Sequence, residues 1–244
     1  MSRTKIFLFT VLAVVFISNI CFVYCQEEGA SAAPAVEVKN VTLGKIFADG
    51  GAIGWVIVGL SVVGLALIIS NIVELRREKL SPPDLVEEIE ALFEAGEYQE
   101  AIELCEAEPN YFTNVVAAGL PKLSASFSAM EKALEDMSEE EAIKLHQKLS
   151  WLSLIANVAP MLGLLGTVMG MIASFNVIAA TKGQADPSQL SSGISAALIT
   201  TMFGLIVAIP ITASFVFLRN KVVKNSIEIS AVVSDLFERF RPSN

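Results

Sequence analysis

The chain of 244 residues is 53% hydrophobic, and its mean hydropathy is +0.59. Soluble domains are about 45–50% apolar, and the excess here lies in separate blocks, which favours an integral membrane protein over a soluble domain. The formal net charge is -9, and an acidic surface repels nucleic acid, which argues against a role in binding DNA or RNA.

Residues 1–25 have the layout of a secretory signal peptide. Arg3 and Lys5 precede a long apolar run, and the small-residue stretch QEEGASAAPA follows it. Because the apolar run is long for a signal peptide, an uncleaved membrane anchor is the alternative. Residues 26–49 are then predicted to form an exported and partly flexible segment.

A first transmembrane helix is predicted over residues 50–73, which hold no charged side chain. At about 1.5 Å per residue, a helix of this length exceeds the roughly 30 Å hydrocarbon core of a bilayer. Glu74, Arg76, Arg77 and Lys79 follow it directly. Because basic residues gather on the cytoplasmic side of a membrane, this helix is predicted to run from outside to inside.

Residues 74–148 are predicted to form an acidic, helical cytoplasmic domain. Between Arg76 and Lys148 there are 17 Asp and Glu against 7 Lys and Arg, which are expected to form a solvated helical face. Apolar residues recur at helical spacing on both sides of Gly96, which favours a helical hairpin. These positions are Leu85, Ile89, Leu92 and Phe93, then Tyr98, Ala101, Ile102 and Cys105. The pattern also resembles half of a tetratricopeptide unit, but one copy cannot form a solenoid.

Two further transmembrane helices follow. The second is predicted over residues 149–181 with a cytoplasmic extension, and a short periplasmic loop over 182–192 leads to the third over 193–218. The uncharged stretches around both spans would reach about 50 Å as helices, so both are expected to protrude from the bilayer. Residues 219–244 begin with basic side chains and are predicted to be a cytoplasmic tail.

Small residues line one face of each of the last two spans. Close approach of such faces is what packs transmembrane helices together. In the second span the face consists of Ala159, Gly163, Gly166, Thr167, Gly170 and Ser174. In the third span it consists of Gly193, Ala197, Thr201, Gly204, Ala208 and Thr212. Two matching faces predict either a tightly packed hairpin or walls around something slender. Pro210 is expected to kink the third span.

None of the three spans contains Asp, Glu, Lys, Arg or His. Because proton relays through membranes use ionisable side chains, the chain alone lacks a complete relay. Thr167, Thr200 and Thr201 either bond back to their own helix or supply hydroxyls to a path. The chain is therefore either a packing scaffold or part of a path whose carboxylate comes from another subunit.

An enzyme is the least favoured class of protein. The chain has one histidine, His146, and three cysteines without a disulfide or metal-binding pattern. It shows no glycine-rich phosphate loop and no pairing of nucleophile and base. No cofactor and no metal site are therefore predicted.

The sequences PMLGLLGTVMGMIASF (160–175) and GISAALITTMFGLIVAIPITASFVF (193–217) resemble the MotA/TolQ/ExbB proton-channel family, and most closely its ExbB and TolQ branch. The phrases GEYQEAIELC and FTNVVAAGL in the polar insert are also similar to that family. The order of the spans, the acidic insert and the predicted topology match it more loosely.

The resemblance implies a homopentamer in the inner membrane of Gram-negative bacteria. The pentamer would enclose transmembrane helices of an ExbD- or TolR-like single-span partner, whose intramembrane aspartate carries the proton. Proton motive force would drive a motion that a TonB- or TolA-like protein transmits to an outer-membrane import or maintenance system. The polar-path threonines of the family fall at Thr167 and Thr201 here, and Thr200 is an additional hydroxyl beside them.

One position departs from the pattern of the family. Many relatives carry a glutamate near the start of the third span, where this chain has Ala196. No role of that glutamate in ion coordination or subunit contacts is therefore carried over to this chain. The alternative function is a non-conducting, oligomeric membrane scaffold.

Overall fold

The computed structural model describes residues 51–123, 126–184 and 186–238. The predicted signal peptide and exported segment lie outside these residues. The described part of the chain is helical and contains no strand. Its elements are α1 (Gly51–Glu74), α2 (Arg77–Leu80), α3 (Pro83–Ala95), α4 (Tyr98–Ala107), α5 (Tyr111–Gly119), a 3₁₀ turn (Leu120–Lys122), α6 (Phe127–Ala180) and α7 (Pro187–Glu238).

Three of the helices are long and apolar enough to cross a membrane. They are α1, α6 and the part of α7 over Leu190–Glu238. The predicted fold class, an all-α membrane protein with three long transmembrane helices and a polar helical part, is confirmed. With 54 residues, α6 is about 80 Å long, so more than half of it extends beyond a hydrocarbon core of roughly 30 Å.

The first of two compact units comprises residues 51–67 and 152–214. It contains most of α1, the C-terminal part of α6 and the N-terminal part of α7. Its core is made of small and branched side chains, among them the buried Ile57, Ala159 and Ala208. A Cβ on Gly64 of α1 would meet the side chain of Ile211, so α1 also lies close to α7 here.

The second unit comprises residues 68–151 and 215–238. The apolar stripes that the sequence predicts on α3 and α4 form its core, since Leu85, Ile89, Phe93, Ala101 and Cys105 are all buried. Aromatic rings join the elements edge to face. The ring centroid of Phe93 lies 5.2 Å from that of Phe237 and 5.8 Å from that of Tyr98.

Local signals in the sequence set the helix ends in this unit. Gly96 ends α3 with a φ of 78°, a left-handed conformation that glycine adopts without strain. Asn110 starts α5 because its side chain accepts from the backbone N–H of Thr113 at 3.0 Å, while its own N–H donates to Thr113 Oγ1 at 2.9 Å. The Tyr111 hydroxyl then donates to Ser138 O of α6 at 2.8 Å.

Candidate functional site

The small-residue faces of α6 and α7 pack directly against each other. A Cβ on Gly163 would lie 3.0 Å from Thr200 O and 3.0 Å from Thr201 Cα. A Cβ on Gly204 would lie 2.7 Å from Ala159 O. These distances are shorter than ordinary van der Waals contacts, so the two backbones touch only because these positions lack side chains.

The same close approach continues towards the loop between the two helices. A Cβ on Gly170 would lie 2.7 Å from the Cβ of Ala197 and 3.0 Å from Gly193 O. The site of a Cβ on Gly166 is already occupied by the Thr200 side chain. Ser174 is buried and donates to Gly170 O at 3.1 Å. Of the two predicted arrangements, these contacts form the packed hairpin, within a single chain.

Thr201 provides a hydrogen bond between the two helices. Its hydroxyl donates to Gly163 O at 3.0 Å, and Gly163 has no side chain to cover that carbonyl. Thr200 is only 4% exposed, and its hydroxyl donates to Ala197 O of its own helix at 2.7 Å. The two adjacent threonines therefore differ in accessibility: Thr200 is enclosed in the hairpin, while Thr201 is partly open.

Thr167 lies at the edge of the same interface. Its hydroxyl donates to Leu164 O at 2.7 Å, and its side chain is partly exposed. Along α6, Thr167 is one turn beyond Gly163, a rise of about 6 Å. The structure therefore places Thr167 and Thr201 about one turn apart along the same hairpin, each with a hydroxyl that is not fully buried.

Helix α7 continues without a break through Pro210. Ala208 is buried, and Thr212 donates to its carbonyl oxygen at 2.8 Å. Ser214 donates in the same way to Pro210 O at 2.8 Å. The hydroxyls near the proline thus bond to carbonyls of their own helix.

Sequence reasoning overlooked a polar contact in the second unit. Asn225 is buried, and its Nδ2 donates to Leu75 O at 3.1 Å, which ties α7 to the residue that follows α1. Its position was detectable as the polar member of the apolar series Leu218, Val222 and Ile229 on one helix face. The partner, 150 residues away in sequence, was not detectable.

Known proteins resemble the chain over much of this hairpin. Residues 107–231, just over half of the chain, match the profile of the MotA/TolQ/ExbB proton channel family. The chain is 29% identical over 182 residues to a biopolymer transport protein ExbB homolog of Methanothermobacter thermautotrophicus, which covers 74% of this chain and 64% of the relative.

Two bacterial relatives match shorter regions. The biopolymer transport protein exbB1 of Vibrio cholerae is 40% identical over 86 residues, which cover 35% of this chain and 38% of the relative. The Tol-Pal system protein TolQ of Pseudomonas aeruginosa is 34% identical over 142 residues, which cover 58% and 56%. The chain therefore spans less than two thirds of the length of each of these three relatives.

The matched region includes both small-residue faces and all three candidate threonines. The resemblance noted from the two span sequences is thereby confirmed, including its ExbB and TolQ branch. The chain is a multi-pass membrane protein that belongs to the MotA/TolQ/ExbB proton channel family.

Proposed function

We propose that the chain is a channel-forming stator subunit of an inner-membrane motor that couples proton motive force to work at the outer membrane. The observation that carries this proposal is a pair of accessible hydroxyls, on Thr167 and Thr201, within spans that hold no ionisable side chain. The family match supports a channel role. The ExbB and TolQ names of the relatives support the coupling of that channel to transport.

The hydrogen bonds of the hydroxyls determine what they offer to a proton carrier. Both Thr167 and Thr201 donate their proton to a backbone carbonyl, so each oxygen keeps lone pairs that accept. A protonated carboxyl or a hydrated proton would donate to these oxygens. Because a carboxyl in a membrane is costly without polar neighbours, the hydroxyls would lower the barrier to its passage.

The carboxyl itself has to come from another chain. We propose an ExbD- or TolR-like single-span partner that carries an intramembrane aspartate, with this chain surrounding it as a homopentamer. A TonB- or TolA-like protein would transmit the motion. Thr200 is buried and would not meet the carrier directly, as Thr201 would. The helices that present the two hydroxyls are shaped by the glycines, Ser174, Ala197, Ala208 and Pro210.

The proposed topology follows the basic residues. Arg76, Arg77 and Lys79 follow the first span, and Arg219 and Lys221 follow the third, which puts both of these ends on the cytoplasmic side. The N-terminus would then be periplasmic, residues 74–148 and the C-terminus cytoplasmic, and residues 182–192 periplasmic. This arrangement fits the inner membrane of a Gram-negative bacterium.

A non-conducting scaffold is the second candidate. It is favoured by Ala196, which stands where many family members carry a glutamate, and by the occupation of the small-residue faces by packing within the chain. A scaffold needs the hairpin and does not need free hydroxyls. Removal of the hydroxyls should therefore lower the activity of a channel and leave that of a scaffold unchanged.

Hydroxyl replacement tests the proposal in cells that depend on the complex. Thr167→Ala and Thr201→Val are each expected to lower energised transport by about fivefold to a hundredfold, because an unsolvated polar group costs about 1–3 kcal/mol. Thr201→Ser should retain transport. Thr212→Val is the matched control, since it removes a threonine hydroxyl of the same helix that lies about 16 Å along α7 from Thr201.

Assembly is measured alongside transport by co-purification of the partner. It should survive all four substitutions, because hydrogen bonds between transmembrane helices contribute only about 0.6 kcal/mol on average. Full transport in both Thr167→Ala and Thr201→Val would show that these hydroxyls are not the path.

A further inference from the structure

Two basic side chains, Arg76 and Lys221, lie near each other in the second unit where two apolar helical stretches end. Arg76 comes two residues after α1, and Lys221 comes three residues after Leu218, the last residue of the apolar stretch in α7. The hydrogen bond from Asn225 Nδ2 to Leu75 O joins the two segments at 3.1 Å. Residues four apart share a helix face, so Lys221 is on the face of α7 that Asn225 turns towards this segment.

The two charges act on each other. Burial lowers the pKa of the Lys221 ammonium, and the neighbouring Arg76 guanidinium lowers that pKa further. Lys221 is partly buried, so water screens this repulsion less than it would between fully exposed side chains. The fold therefore holds a partly buried ammonium beside an exposed guanidinium of the same charge.

The acids nearest to Arg76 and Lys221 do not pair with either side chain in the described part of the chain. Glu74 and Glu228 are engaged with other bases, and Glu78 is exposed to solvent. The ion pairs of the region are Glu74 with Lys148, Arg77 with Glu228 at 3.6 Å, and Lys224 with Glu228 at 3.5 Å. Neither Arg76 nor Lys221 forms an ion pair within the described residues, so the pair is open to an anion from outside the chain.

The surroundings of the pair identify that anion. Immediately before the basic residues, both helices expose large apolar side chains. These are Ile69 and Val73 on α1, and Val216 and Phe217 on α7. Exposed apolar surface that ends at basic residues is the pattern of a helix leaving the hydrocarbon core for the headgroup layer. The anions concentrated at that depth are lipid phosphates.

We propose that Arg76 and Lys221 form a binding site for the phosphate of an anionic phospholipid headgroup. The planar guanidinium suits bidentate contact with two phosphate oxygens, and the ammonium adds a point charge. The bound phosphodiester neutralises the repulsion between the two side chains. It thereby fastens the end of α1 to α7 in addition to the Asn225 hydrogen bond.

The site is tested with full-length protein in phosphatidylcholine nanodiscs that contain a minor fraction of phosphatidylglycerol. Lipid that remains bound after extraction into detergent is counted by native mass spectrometry. Arg76→Gln and Lys221→Gln are each expected to lower retained phosphatidylglycerol about fivefold, since a basic residue at the surface contributes about 1 kcal/mol. Lys221→Arg should retain it.

Lys132→Gln is the matched control, because it removes the same charge far from the proposed site. Lys148 of α6 lies beside the site through its ion pair with Glu74, and Lys132 is 16 residues earlier on the same helix, a distance of about 24 Å. It should not alter lipid retention. Thermal unfolding in phosphatidylcholine alone shows whether each variant is folded. Unchanged retention in the Arg76→Gln, Lys221→Gln double variant would overturn the site.

A second arm separates the lipid from free phosphate. In lipid-free detergent, added phosphatidylglycerol should raise the Tm of the unsubstituted protein and not that of the double variant. Inorganic phosphate at the same concentration should have little effect, because it lacks acyl chains to lie along the exposed apolar side chains. An equal rise with inorganic phosphate would contradict the assignment to a lipid.

Discussion

Replacement of Gly204 by alanine tests the close approach of α6 and α7. The new Cβ would lie 2.7 Å from Ala159 O and 3.2 Å from Gly163 Cα. Carbon and oxygen normally approach no closer than about 3.3 Å, so the helices would have to separate by roughly 0.6 Å. Both obstructing atoms belong to the backbone and cannot rotate away. The separation would also lengthen the 3.0 Å hydrogen bond from Thr201 to Gly163 O.

The magnitude follows from two opposing effects. Overpacking of this kind costs about 1–3 kcal/mol, while exchanging glycine for alanine within a helix gains about 1 kcal/mol. Gly59→Ala on α1 isolates the second effect, because a Cβ there meets no atom within 4 Å. The free energy of unfolding of Gly204→Ala should therefore lie about 1–3 kcal/mol below that of Gly59→Ala.

The assay is unfolding by SDS in mixed micelles, followed by far-ultraviolet circular dichroism. All variants are compared at one protein concentration, because oligomer formation makes apparent stability depend on concentration. If the two variants agree within about 0.5 kcal/mol, less than the smallest overpacking penalty expected, α6 and α7 are not in backbone contact at this position.

Three further predictions concern the second unit. Tyr111→Phe removes the hydrogen bond to Ser138 O and should lower the free energy of unfolding by about 1 kcal/mol, measured in the same SDS titration. Asn110→Ala removes the cap of α5 and should lower it by about 0.5–2 kcal/mol, whereas Asn110→Asp should restore most of the loss. Burial raises the pKa of the Cys105 thiol from 9.0 to about 11. Because the thiolate is the reactive form, alkylation of Cys105 below pH 9 should be on the order of a hundredfold slower in the folded than in the unfolded protein. The rate is measured by mass spectrometry of the peptide that contains Cys105. The stability that the protonated Cys105 thiol contributes is present below pH 9.0 and is lost as the pH rises towards about 11, so unfolding should become easier over that interval.

The hairpin of α6 and α7 shows which features of the packing can be predicted from the sequence and which cannot. The recurrence of small residues at helical spacing predicts that Gly163, Gly170 and Gly204 lie on two matching faces. It left a packed hairpin and the walls of a bore as alternatives, because spacing within each helix does not say what lies opposite. The contact of Gly204 with Ala159 O shows that the two faces pack against each other within one chain.

Contacts that depend on the register between distant segments were not predictable. The Thr201 hydroxyl could have bonded to its own helix, as Thr167 does, and only the alignment of α7 with α6 brings it to Gly163 O. Arg76 and Lys221 were visible only as separate charges that end membrane spans. The hydrogen bond from the buried Asn225 to Leu75 O joins their two segments, and its partners are 150 residues apart in sequence.

The candidate path is less determined by sequence than the fold. Physical reasoning identifies hydroxyls in an uncharged span but gives no carboxylate to act on them, and the partner chain follows only from family resemblance. The structure adds one distinction that the sequence could not supply. Thr200 is enclosed while Thr201 is partly open, so adjacent threonines with the same chemistry have different access to a carrier.

Proton flux through proteoliposomes tests the proposed function most directly. The vesicles contain this chain with its single-span partner, and an imposed pH gradient is followed with an internal dye. We predict flux that is lost when the partner aspartate is replaced by asparagine, falls at least about fivefold in Thr201→Val, and returns in Thr201→Ser. Absence of flux from the assembled complex, or flux that is equal in Thr201→Val, would contradict a proton path along these hydroxyls.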